Sequence, residues 1–267
     1  VVAEIERIHK TSAVVTAALG RLSIAASLIG MGLKNKDDSV TVRMNGNGPC
    51  GTLIAVADSL GNVKSYVGNP IVEIPLNALG KLDVKGAVGT EGTLTVIKDL
   101  GLREPYTGQI PIVSGEIAED IAAYFAVSEQ IPTVCGLGVL VNPDLTVNAA
   151  GGYLIQLLPF ADEKVIDIIE NNIKSLPSVT EMLSSGVTVE EMALKVLDGL
   201  TPNVLDDFSA EYKCDCSKER VERALISIGR DDLREMAAEN DNTEVCCHFC
   251  DKKYSFSSEE LIALSNR

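Results

Sequence analysis

Seven cysteines occur in this chain of 267 residues, and four of them fall in two tight pairs. Cys214-Asp215-Cys216 and Cys247-His248-Phe249-Cys250 are separated by thirty residues. Soft thiolates select Zn²⁺, and a closed tetrahedral shell needs four donors, so Cys214, Cys216, Cys247 and Cys250 are the candidate ligands of one zinc ion. A closed four-sulfur shell is most simply a structural staple, while thiols open to oxidation make a redox element; the surrounding chain has to decide. Cys246 offers a second register, but Cys247-x-x-Cys250 has the usual chelate spacing and Cys246 is set aside as a neighbouring thiol. His248 lies between two ligand positions and is expected to point away from a shared ion. Cys50 and Cys135 stand in apolar stretches and read as small buried residues.

The segment that must hold the two pairs together, Leu205 to Arg267, contains few large apolar residues. Ser217 to Ile228 has helical periodicity with Gly229 as its stop, and Ser257 with Glu260 starts another helix. So short a stretch with so little core needs a staple, and removing its metal is expected to unfold it.

Ahead of that module, Thr11 or Ser12 can cap a long apolar helix running to about Leu33. From Ser39 the pattern alternates, with Val40, Val42 and Met44 on one strand face. Gly46-Asn47-Gly48-Pro49-Cys50-Gly51 matches G-x-G-x-x-G formally. It leads into the strand-like run Thr52–Ala57 rather than a helix, which excludes a dinucleotide site and predicts a hairpin. Further strands are predicted over Val63–Val67, Thr93–Lys98, Gly136–Val141 and Gly151–Leu158. A helix is predicted from Gly115 to about Val127, started by Ser114. Glu116, Glu119 and Asp120 in its first turns suit the helix dipole better than acid–base chemistry. Strands and helices in runs define an α+β fold: residues 1–160 form an N-terminal core of β-sheets with packed helices.

After Pro159 the composition changes. Helices are predicted over Asp162–Leu176, Ser178–Ser184 and Thr188–Leu200, the last two opening with the capping boxes Ser178-x-x-Glu181 and Thr188-x-x-Glu191. Pieces of this length are marginal in water unless docked, so residues 161–212 read equally as a switch element or an ordinary helical linker. The small zinc-binding domain then occupies residues 213–267.

The net charge of −15 argues against nucleic acid as a partner. Residues 201–267 carry nine Lys and Arg against fifteen Asp and Glu, the wrong sign for a zinc-ribbon nucleic-acid binder. Thr11–Leu33 is apolar enough to raise a membrane span, but Arg21 and its Ser, Thr and Ala content suit a close-packed core helix. An odd cysteine count without an evident signal peptide points to a reducing, cytoplasmic location. C-x-x-C is also an oxidoreductase motif, but no thioredoxin-like βαβ unit surrounds it, so an enzyme is not expected.

The sequence resembles the redox-regulated heat-shock holdase family known as the 33 kDa chaperonin. The resemblance spans nearly the whole chain. It is carried by Thr16-Ala-Ala-Leu-Gly-Arg21, Gly80-Lys-Leu-Asp83, Glu104-Pro-Tyr-Thr-Gly108 and Ser114-Gly-Glu-Ile-Ala-Glu-Asp120. It continues in Ser128-Glu-Gln130, Ala149-Ala-Gly-Gly152, Cys214-Asp-Cys-Ser-Lys-Glu-Arg220 and Cys247-His-Phe-Cys250. The resemblance implies a cytoplasmic, ATP-independent chaperone whose partners are unfolded client proteins, with a homodimer on activation. It implies one Zn²⁺ on Cys214, Cys216, Cys247 and Cys250 in the quiet reduced state. On oxidation it implies disulfides Cys214–Cys216 and Cys247–Cys250, with release of zinc and exposure of client-binding surface. It also implies a strand ahead of Val1, while Cys246 is an extra thiol beside the motif. A constitutive structural zinc protein and a thiol–disulfide oxidoreductase are the alternatives.

Overall fold

The alternation from Ser39 builds the first strand of a five-stranded sheet in the computed structural model, which describes residues 1–266. Strand β1 (Ser39–Gly46) buries Val40, Val42 and Met44 completely on one face. It pairs with β2 (Thr52–Asp58) across the Gly46–Gly51 turn, Asn45 opposite Thr52, so the glycine-rich stretch is a hairpin. With β3 (Val63–Val67), β4 (Gly92–Asp99) and β5 (Tyr106–Pro111) the order is β3-β2-β1-β4-β5, every pair antiparallel. A second sheet pairs β6 (Thr133–Val141) with β7 (Val147–Gln156). This is the expected α+β architecture.

Helix α2 (Ala13–Met31) contacts both sheets and is buried almost all round, which explains its largely apolar sequence. It is long and apolar enough to cross a membrane, yet 78% of it is buried within the protein. Small residues let its neighbours approach: a Cβ on Gly20 would lie 2.8 Å from Val2 and 3.0 Å from Val139. Ser12 precedes the helix but does not cap it; its hydroxyl accepts the amide of Val72 instead. A short helix, α1 (Val2–His9), and α3 (Val84–Val88) complete this part of the core and were not expected.

The predicted helix from Gly115 begins later, as α4 (Ala118–Tyr124) followed by one π-helical turn at Phe125–Glu129. The reason is Asp120. Its buried carboxylate accepts the backbone amides of Val113 (2.7 Å), Ser114 (2.9 Å), Gly115 (3.0 Å) and Ile117 (3.0 Å), folding residues 113–117 into a loop around it. Glu116 meanwhile pairs with Arg21 at 2.7 Å. These acids are therefore structural, but through direct donors rather than through the helix dipole alone.

Three helices follow as expected: α5 (Glu163–Ser175), α6 (Val179–Ser184) and α7 (Val189–Val196). The Ser178 and Thr188 capping boxes both form. α6 lies on β6 and β7, and Val179, Met182 and Met192 make a small cluster with Tyr153 and Leu183. Asn172 ties α5 to the end of α7 through the carbonyls of Val196 and Asp198.

The chain divides into two compact units between Tyr212 and Lys213. The second unit contains α8 (Lys218–Ile228), α9 (Arg230–Glu239), the hairpin β8 (Asn242–Cys246) with β9 (Lys253–Ser257), and α10 (Ser258–Ser265). Its core is small: Leu225, Leu233, Tyr254, Phe256, Leu261 and Leu264.

Candidate metal centre

Two backbone features present the thiols. Cys214 and Cys216 lie in the extended segment before α8, whose cap Ser217 accepts the amide of Arg220. Arg220 reaches back to the carboxylate of Asp215, the residue between the two cysteines, and so restrains that loop. Cys247 and Cys250 occupy the turn between β8 and β9. The Cys247 amide bonds the Lys252 carbonyl at 2.9 Å, and the Asp251 amide bonds the Cys247 carbonyl at 2.8 Å. Asp251 takes a left-handed conformation (φ 60°), which the short Asp side chain tolerates.

The four Sγ atoms lie within 4.8 Å of one another. Cys214 is 3.7 Å from Cys247, and Cys216 is 3.3 Å from Cys250. A tetrahedral ion with Zn–S bonds of about 2.3 Å needs S···S edges of about 3.8 Å. The cluster has those dimensions and can hold a metal ion. His248 is not among the converging donors. Nor is Cys246, whose exposed thiol donates to Asp251 Oδ1 at 2.9 Å. Cys50 is completely buried and Cys135 partly so, both far along the chain in the first unit.

The sulfurs are not equivalent. Burial raises the Cys216 thiol, but hydrogen bonds outweigh it and bring the group down to about 7; the first of these comes from Tyr254 Oη at 3.1 Å, the others from the three neighbouring thiols. Burial pushes Cys250 up, as does donating to the sulfurs around it, and Cys214 is raised by burial as well. Cys216 is thus the sulfur whose surroundings favour the thiolate, within a set of thiols that titrate together. A thiolate is both the better metal ligand and the better nucleophile toward an oxidant. The Tyr254 contact was not foreseen; its signal is the aromatic in Tyr254-Ser-Phe256, which also supplies the core.

The C-x-x-C pair sits in a β-turn and not at a helix N-terminus, where a thiol–disulfide enzyme would place it. A large α+β unit is followed by a small unit built on a thiol tetrad that can hold one metal ion. The family model described as Hsp33 protein matches residues 1–257. The 33 kDa chaperonin of Clostridioides difficile is 52% identical over 263 residues, covering 98% of this chain and 90% of that protein. That of Clostridium beijerinckii is 50% identical over 260 residues, covering 97% and 89%. The crystal structure of the 33 kDa chaperonin from Thermotoga maritima superposes with a TM-score of 0.91 at 40% identity, covering 100% of this chain and 90% of that one. This chain belongs to the Hsp33 family, heat-shock chaperones and not enzymes.

Proposed function

We propose that the chain is a redox-regulated, ATP-independent holdase of the cytoplasm that keeps unfolding client proteins from aggregating. The observation that carries the reading is the convergence of Cys214, Cys216, Cys247 and Cys250 in a module with a six-residue core. In the reduced state these four thiolates hold one Zn²⁺, which supplies folding free energy, on the order of 10 kcal/mol for such sites. Residues 1–160 act as the chaperone core, 161–212 as the redox-responsive linker and 213–267 as the switch.

Oxidation then proceeds through the thiols of this chain. Attack of one sulfur of a pair on peroxide gives a sulfenic acid and water, and the second sulfur displaces hydroxide to close the disulfide. Two thiols and one peroxide yield one disulfide and two waters. Disulfides Cys214–Cys216 and Cys247–Cys250 use up all four donors, so zinc is released. The module loses its main source of stability, and the loss passes along the chain into 161–212. The helices there are short and partly exposed, with Ile169, Val179, Met182, Met192 and Val196 as their buried apolar residues. Undocking them uncovers apolar surface for clients, and two activated copies associate through the same kind of surface.

The test pairs zinc release with suppression of client aggregation, with and without peroxide. Zinc loss and holdase activity should rise together. Full activity with zinc bound, unchanged by peroxide, would reduce the site to a constitutive staple. Reduction of insulin disulfides by the reduced chain would instead favour an oxidoreductase.

A further inference from the structure

We infer that the first unit carries a binding site for a small apolar carboxylate, of the medium-chain fatty-acid class, with its head group between Arg21 and Lys81. A cavity of about 600 Å³ opens where the first half of α2, the loop ending at Leu82, the β6–β7 hairpin and the start of α6 meet. That is the size of a small-molecule site. Leu76, Leu82, Leu137, Val139 and Leu145 form apolar walls. Leu76 (58% exposed) and Leu145 (43%) leave apolar surface facing water at the mouth.

The charges select the ligand. In a chain of net charge −15, no Asp or Glu lines this cavity, and its two charged lining residues are both cations, Arg21 and Lys81. The acids that interact with them, Glu116 and Glu181, lie outside the lining. Glu116 holds Arg21 through Nη1 alone, and Glu181 near Lys81 accepts both the amide and the hydroxyl of Ser178. Arg21 Nε is buried with no acceptor, a state that a modest reorientation onto a carboxylate relieves. Asn142, Ser178 and Thr180 add polar groups to the lining, so peptides with apolar C-termini are the competitors the test must include. A single anionic head on an alkyl chain matches two cations beside a mainly apolar lining.

The test is calorimetric titration of the reduced full chain with decanoate, with decanol and decyltrimethylammonium as controls. Decanoate should bind one to one, about tenfold tighter than decanol, and the cationic control should not bind. Lys81→Gln should weaken decanoate about threefold, and Arg21→Gln about tenfold or more. Leu145→Asp, at the exposed mouth, should abolish binding with no change in melting temperature, so the test stands even if Arg21→Gln folds poorly. Equal affinity for decanol, wild-type affinity in Lys81→Gln and Leu145→Asp, or stronger competition from peptides with apolar C-termini would overturn the assignment. Because binding is read in the reduced protein without clients, its failure leaves the holdase reading untouched.

Discussion

The hydroxyl of Tyr212 takes the place of a missing neighbour for Ser65 on edge strand β3. It donates to the Ser65 carbonyl at 3.0 Å and accepts the Ser65 amide at 3.2 Å, while the Glu211 carbonyl accepts the amide of Val63. His9 Nε2 lies 3.2 Å from the same oxygen. The chain is therefore anchored to the first unit two residues before Cys214. Tyr212→Phe keeps the ring but strands a donor and an acceptor, at a cost of about 1–3 kcal/mol. Hydrogen exchange should show faster exchange at Ser65 and over 205–213, with the tetrad's zinc content unchanged. Unchanged exchange there would mean the ring, not the hydroxyl, makes the anchor.

The buried thiols outside the tetrad make a pH prediction. Burial pushes Cys50 up to about 11 and Cys135 up to about 12, from an ordinary value of 9.0. Both stay protonated at neutral pH, so iodoacetamide should spare them in the native chain while labelling exposed Cys246. For linkage, a folded-state pKa above the unfolded one stabilises the fold below pH 9, and that contribution is lost as pH rises toward 11 to 12. For Cys50, which is completely buried, the loss is about 1.4 kcal/mol per pH unit across that window. Urea midpoints at pH 8 and pH 10, compared between the parent and Cys50→Ala, measure it. A pH dependence identical in both would show that Cys50 does not contribute.

Zinc stoichiometry separates the two registers at the C-x-x-C end. Cys246→Ser should retain one zinc per chain, since its thiol is turned to Asp251 and lies outside the tetrad. Cys247→Ser removes a donor and should lower affinity by more than the roughly 10–100-fold that changes behind the ligands cost. Chelating the metal from the reduced parent should abolish exchange protection in 213–266 and leave the five-stranded sheet protected. Loss of zinc in Cys246→Ser but not in Cys247→Ser would reverse the ligand assignment.

Asp120 makes a stability prediction. Its carboxylate gathers four amides, and Ile117 sits at φ 75°, a conformation a β-branched residue adopts only when its surroundings impose it. Asp120→Ala leaves the buried amides of Gly115 and Ile117 without that acceptor and should cost on the order of 3–5 kcal/mol. Equilibrium denaturation of the zinc-loaded chain reads this directly. A change below about 1 kcal/mol would show that water replaces the carboxylate.

What could be read from residues alone was whatever short-range chemistry encodes. Val40, Val42 and Met44 announce a half-buried strand by their period, and the boxes at Ser178, Thr188 and Ser257 satisfy amides three residues away. Helix α9 was missed because Gly229, at φ 121°, ends α8 and begins α9 with no side-chain cap to mark it. Strand β5 has no clean alternation to announce it, since Gly108 and Pro111 interrupt the run, and pairing with β4 is what makes it a strand. The late start of α4 depends on Asp120 folding the loop around itself, which the acidic run alone does not reveal. At the tetrad, the spacing of the pairs signalled that four sulfurs meet. The Tyr254 hydroxyl on Cys216 comes from a strand that only the folded hairpin places there.

Gly138 offers a way to disturb the linker without touching a thiol. A Cβ placed there would lie 2.8 Å from Thr180 Cγ2, 3.0 Å from the Thr180 amide nitrogen and 3.0 Å from Val179 Cβ. Those atoms open α6, so Gly138→Ala must push that helix away from β6, and overpacking of this kind costs about 1–3 kcal/mol. Because α6 is only six residues long, it has little stability of its own to hold it in place. The variant should keep one zinc per chain yet show faster exchange over 178–187, bind more of an apolar dye, and suppress client aggregation without any oxidant. If α6 undocks by exchange and the reduced variant still fails to hold clients, the linker is not the gate, and client binding must be limited by the module itself.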